Sequence, residues 1–106
     1  FPKQIDYLSI DIEPAENTFK ALQKIPFNEY RFSVITYEHD CYNSGPEFMD
    51  LSRKYLQTKG YKLVVANVIC RGRDFEDWWV DPNIISEAVW GKAESKNIEF
   101  SEIFNK

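Results

Sequence analysis

Apolar residues along this chain follow two different periods, and the switches between them mark out its elements. From Ile5 to Asp11, β-branched and aromatic residues form a short apolar run that closes on acid, which predicts a strand covered on both faces. Pro14 stops the run, because proline has no N–H to give to a ladder. Ala15, Phe19, Leu22 and Ile25 then fall near helical spacing, with Glu16, Lys20 and Lys24 on the polar side. Pro26 ends that helix.

A second unit repeats the plan. Tyr30 to Glu38 holds Phe32, Val34, Ile35, Thr36 and Tyr37, all good strand formers. Asn43, Ser44 and Gly45 supply a turn, and Pro46 suits the first turn of a helix striped by Phe48, Leu51, Tyr55 and Leu56. Gly60 reads as that helix's left-handed cap, and a third strand runs from Tyr61 to Ile69. The link from Cys70 to Asp74 is too short for a crossover helix, so Phe75 to Val80 is predicted to form a hairpin with the third strand. Asp81 and Pro82 open a short predicted helix through Ile84, Ile85, Ala88 and Val89, and the tail from Glu94 onward is weakly patterned.

Alternating strands and helices imply parallel strands with right-handed crossovers. The expected fold is α/β: three parallel strands plus one antiparallel hairpin strand, with flanking helices, as in part of a Rossmann-like sheet. With no linker, internal repeat or low-complexity stretch, residues 1–106 form one unit. The strand at Ile5 reads as one already inside a fold, so the chain is expected to be the later part of a larger domain, its neighbouring strands preceding Phe1.

Composition narrows this picture. Hydrophobic residues at 43% and aromatics at 16% provide for a packed core rather than disorder. A formal charge of -4 argues against nucleic acid, whose phosphates need a basic face. No run of about 18 apolar residues encodes a membrane span. Cys41 and Cys70 fit no metal spacing, and a reduced pair in a cytoplasmic protein is the expected state. The polar, mixed start predicts no signal peptide.

Chemistry concentrates at the carboxyl ends of the strands, where ligands bind in open parallel sheets. The first strand ends Asp11-Ile12-Glu13, the second Glu38-His39-Asp40, and the third Cys70-Arg71-Gly72-Arg73. Alternation sets Glu38 and Asp40 on one face and His39 on the other. Adjacent strands then bring the two acidic groups to one edge of the sheet. Three uses suit such a site. His39 beside carboxylates serves as a general base. Clustered oxygens hold a divalent ion such as magnesium or manganese. Arg71 and Arg73 receive an anionic or sugar-like group. Against these stands the plain alternative that strand ends are solvated and polar anyway.

The stretch Ile5-Asp6-Tyr7-Leu8-Ser9-Ile10-Asp11-Ile12-Glu13, a helix, and then Val34-Ile35-Thr36-Tyr37-Glu38-His39-Asp40 resembles the FkbM-type methyltransferases. The likeness runs to the hairpin Glu76-Asp77-Trp78-Trp79-Val80-Asp81-Pro82. The family's turn Asp-x-Glu-Gly-x-Glu reads here Asp11-Ile12-Glu13-Pro14-Ala15-Glu16, with Pro14 in place of glycine. The resemblance implies an S-adenosylmethionine-dependent O-methyltransferase acting on a hydroxyl of a sugar or small metabolite. It sets Asp11 and Glu13 near the methyl group, Asp11 toward the cofactor. Glu38 and His39 fall on the acceptor side, with Asp40, Arg71 and Arg73 binding substrate. It also implies that the glycine-rich half that holds the cofactor is absent, so the segment alone is expected to be inactive. Only Gly45, Gly60, Gly72 and Gly91 occur, none in G-x-G spacing.

Two other readings stand beside this one. A non-catalytic module would use its exposed first-strand edge for interaction or as a homodimer. A barrel glycoside hydrolase would use Asp6-x-x-Ser9-x-Asp11-x-Glu13, with Glu13 as general acid. The hairpin argues against that barrel.

Overall fold

The computed structural model describes residues 3–104. Strand β1 (Lys3–Ile10) leads through a turn into helix α1 (Ala15–Gln23), then β2 (Tyr30–Glu38), the one-turn helix α2 (Cys41–Ser44) and α3 (Glu47–Thr58). Strands β3 (Lys62–Cys70) and β4 (Arg73–Val80) form the hairpin, followed by a one-turn helix α4 (Glu87–Trp90) and strand β5 (Ser95–Glu99).

Local chemistry sets these boundaries. The β1–α1 turn is closed by Thr18, whose hydroxyl donates to the Ile12 carbonyl and accepts from the Ile12 N–H. That hydroxyl is buried and ties the end of β1 to the first turns of α1. Helix α3 ends on Gly60 at φ +85°, with Tyr61 N–H bonding back to Leu56 O and Gly60 N–H to Gln57 O. This paired pattern satisfies the last carbonyls of the helix and needs a residue free to turn left-handed. Between β3 and β4 the two-residue loop Arg71-Gly72 has φ of +53° and +79°, the twist that suits a tight hairpin.

The sheet is mixed, in the order β1-β2-β4-β3-β5. β1 runs parallel to β2 and β3 parallel to β5, while β4 lies antiparallel between β2 and β3. Three parallel strands and a reversed hairpin strand were the expectation, and all four are present. The hairpin strand lies inside the sheet, with β2 on its other side. The expectation had no β5. Its residues Ser-Lys-Asn-Ile-Glu offer only Ile98 to the interior, so no alternation marks it as a strand. The helix expected through Ile84 and Val89 is reduced to the single turn of α4, and both side chains are exposed. The sheet is open, unlike the closed parallel barrel a glycoside hydrolase would need.

Two cores lie on opposite faces. α1 and α3 cover one, where Ile10, Leu22, Ile35, Tyr37, Leu56 and Trp79 pack together. The other is covered by residues 85–103, which set Trp90, Ala93 and Ile103 against Val64, Val65, Val68 and Val80. The two adjacent tryptophans divide as alternation requires: Trp79 is wholly buried, while Trp78 packs edge-on to Phe100 on the other face. β1 departs from expectation. It lies at the sheet edge, with Ile5 and Tyr7 exposed and only Ile10 buried, because residues 85–103 lie over β3 and β4 instead.

Candidate functional site

The parallel pairing of β1 with β2 puts Ile10 beside Tyr37, so Asp11 and Glu38 leave the sheet together. The Glu38 carboxyl lies within hydrogen-bonding reach of both Asp11 and Asp40. Across the ladder Glu38 faces Glu76 of β4, so a fourth carboxyl joins the group. Partial burial, then the hydrogen bonds and charges of Asp11 and Asp40, push the Glu38 pKa up to about 9. Glu76 is raised too, mainly by burial and partly by Asp11, although a 2.6 Å bond from Trp78 Nε1 to its Oε1 works the other way. At neutral pH Glu38 therefore carries a proton and acts as a donor among acids.

Asp40 adds an unusual backbone. At φ +49° it is left-handed, it is 7% exposed, and its Oδ1 has no hydrogen-bond partner among the described residues. Its N–H and that of His39 both donate to Phe75 O, at 3.0 and 2.8 Å, which fixes the end of β2 against β4. The Asp40 carbonyl in turn accepts from Asn43 and Ser44, starting α2.

Glu13 stands apart. Its side chain is exposed, its carbonyl accepts from Asn17 Nδ2, and it does not act on Glu38. His39 is on the far face of the sheet, as alternation predicts, but its ring is fully buried. Nδ1 accepts from the Cys41 N–H at 3.0 Å, so the neutral ring carries its hydrogen on Nε2. Nε2 lies 3.3 Å from Asp77 Oδ1, near enough for an ion pair though poorly aligned as a hydrogen bond. A base on the acceptor side must reach solvent, and this ring does not.

The residue that holds His39 was not visible in the sequence. Asp77 is fully buried and accepts from Arg53 Nε and Nη2, each at 2.9 Å, and from the Asn67 N–H at 2.9 Å. Burial alone would raise its pKa, but the His39 ring beside it and the bonds and charge of Arg53 outweigh it and hold the carboxyl below its usual value. Asn67 sits at φ +64° within a stretch of β3 whose register shifts, so the bulge turns its N–H onto Asp77. An arginine on a helix face that otherwise buries Met49, Ser52 and Leu56 was the available signal.

Arg71 and Arg73 reach the same end of the sheet. With Glu38, Tyr42, Cys70 and Phe75 they line an open cleft of about 330 Å³. The Arg73 guanidinium lies 5.5 Å from the centre of the Tyr42 ring. Glu38 is thus common to the acid group and the cleft. Among the described residues, no three His, Cys, Asp or Glu side chains are arranged to hold a metal ion. Cys41 and Cys70 are both free thiols, and no described helix is long and apolar enough to cross a membrane. No protein-family model, curated protein or solved structure matches this chain.

Proposed function

We propose that this chain supplies the acceptor side of an S-adenosylmethionine-dependent O-methyltransferase, with Glu38 at the centre of the acceptor site and the Arg71–Arg73 cleft beside it. One observation carries the reading. The carboxyls of Asp11, Glu38 and Asp40 converge where two parallel strands end, close enough that burial and its two neighbours push the Glu38 pKa well above the usual carboxylate range. A hydroxyl placed there meets both a donor and an acceptor, so it can be oriented by the first and deprotonated by the second. The order of the elements is a further support. The reversed strand β4 lies between β2 and β3, which leaves the carboxyl ends of β1, β2 and β3 on one rim.

S-adenosylmethionine, when bound, supplies an electrophilic methyl group. The described residues offer it no cradle of their own. Gly45 and Gly60 lie at helix ends, Gly72 in the hairpin loop and Gly91 after α4, so no glycine opens a helix directly after a strand. The proposal therefore gives this chain only the acceptor hydroxyl and its proton. Asp11 and Glu38 touch the hydroxyl, Asp40 holds the Glu38 proton, and the buried His39 braces the end of β2.

Titration calorimetry with S-adenosylhomocysteine tests the reading. The protein in its full natural length should bind at micromolar level, and residues 1–106 alone should not. No binding by the full-length protein removes the methyltransferase assignment. The exposed edge of β1 favours a second reading, a non-catalytic module that pairs through that strand. In that case the same titration would stay flat for both forms.

A further inference from the structure

We infer that the acceptor taken by the cleft is a hydroxylated ring compound bearing an anionic group, a carboxylate or a phosphate, and that Arg71 and Arg73 bind that group. This deepens the acceptor-side reading and rests on it for the word acceptor, while the anion site stands on its own observations.

The first observation is charge left without a partner. The chain has 17 acidic residues against 13 Lys and Arg, so a cation here has carboxylates to choose from. The other two arginines each take one, Arg31 with Asp81 and Arg53 with Asp77. Among the described residues neither Arg71 nor Arg73 has a carboxylate within ion-pair distance, although they share one cleft. The acids nearby are otherwise engaged. Glu99 takes the Gly72 N–H at 3.2 Å, Asp74 acts on the Cys41 thiol, and Glu38 is held by Asp11 and Asp40.

Position adds a second argument. The tight hairpin places Arg71 at φ +53°, where Asn, Asp or Gly is the favoured residue. An arginine there gives up turn propensity and puts a guanidinium at the mouth of the cleft. The cleft's volume, about 330 Å³, is at the lower end of what small-ligand sites need, which suits a single ring. Tyr42, half exposed and stacked beside Arg73, offers that ring an aromatic wall. Two guanidinium forks match the paired oxygens of a carboxylate or phosphate, and a neutral ligand would leave both unanswered.

The test is an NMR titration of the isotope-labelled full chain with three probes that share a ring: glucuronate, glucose 6-phosphate and glucose. Shifts for Arg71, Gly72, Arg73 and Tyr42 with one or both anionic probes, and none with glucose, support the site. Which anionic probe binds tells carboxylate from phosphate. Equal shifts with all three, or none with any, overturn it. Arg71→Gln and Arg73→Gln, both at exposed positions, should leave the Trp79 environment unchanged and weaken binding about fivefold each. Unweakened binding by both variants overturns the assignment. Failure here with S-adenosylhomocysteine still bound by the natural full-length protein would leave the methyltransferase reading intact. Success here without that binding would leave an anion site in a chain of other function.

Discussion

Replacing Glu38 with glutamine tests the acid group without emptying it. In the folded chain the Glu38 carboxyl holds its proton up to about 9, against 4.5 for the free side chain. Between those values the folded state binds one proton more than the unfolded state, so stability falls as pH rises through the window. Taken whole, the displacement would be worth about 6 kcal/mol. Glu38 borders an open cleft, and solvent screening there leaves ~1–2 kcal/mol. Glutamine keeps the shape, cannot ionise, and offers an amide donor to Asp11 and Asp40 where the carboxyl offered its proton. The assay is urea unfolding at pH values from about 5 to about 9, read by tryptophan emission because Trp79 is fully buried. The two proteins should match near pH 5, and Glu38→Gln should be ~1–2 kcal/mol the more stable near pH 8. A shallower fall should persist in the variant, since Glu76 is also raised, and adding Glu76→Gln should remove it. A variant that falls as steeply as the parent, or is weaker near pH 8, would refute this account of Glu38.

Asp77→Ala should cost about 3–5 kcal/mol in urea unfolding, because it leaves the Arg53 charge and the Asn67 N–H without their partner. The Asp77 pKa is lowered, so its contribution is complete above the ordinary 3.8 and is lost as pH falls through the lower folded value; Asp77→Asn should flatten that acid limb. His39→Asn should destabilise by about 2–3 kcal/mol and alter the near-ultraviolet circular dichroism, and an unaltered fold with activity lost would restore His39 as a working base. Trp79→Ala should cost about 3–5 kcal/mol by opening the helix-side core, checked by thermal unfolding.

The sequence was most legible where a short pattern decides an element. β-branched and aromatic runs marked β1, β2 and β3, Gly60 marked the end of α3, and the brevity of Cys70 to Asp74 required β4 as a hairpin strand. The meeting of Asp11 with Glu38 also followed, since a strand-helix-strand unit puts two strand ends side by side. What stayed hidden depended on contacts distant in sequence. Asp77 meets Arg53 from 24 positions away, and only the bulge at Asn67 brings a backbone N–H to it. The burial of His39 followed from that network, because nothing in Glu38-His39-Asp40 tells a ring in solvent from one paired beneath the sheet. β1 misled for the same reason. Its residues suit a strand covered on both faces, yet the covering segment lies over β3 and β4.

β4 links the buried network to the site. Its alternation sends Asp77 and Trp79 into the helix layer while Glu76 and Trp78 take the other face. A slip of one residue would carry Asp77 into the acid group and Glu76 under the helices, reversing every side chain on the strand. The bonds from Arg53 and Asn67 to Asp77 forbid that slip, and the two hydrogen bonds donated by the His39 and Asp40 N–H groups to Phe75 O lock β2 to the same register. The crowding of carboxyls around Asp11, Glu38 and Asp40, with Glu76 beside Asp11, is therefore imposed by favourable contacts on the opposite face. A sheet selected for stability alone would relieve it with one neutral residue. Local conflict maintained by a surrounding structure is the pattern expected of a working site. That is the physical reason to look for chemistry at Glu38 rather than at the better-satisfied ion pairs elsewhere in the chain.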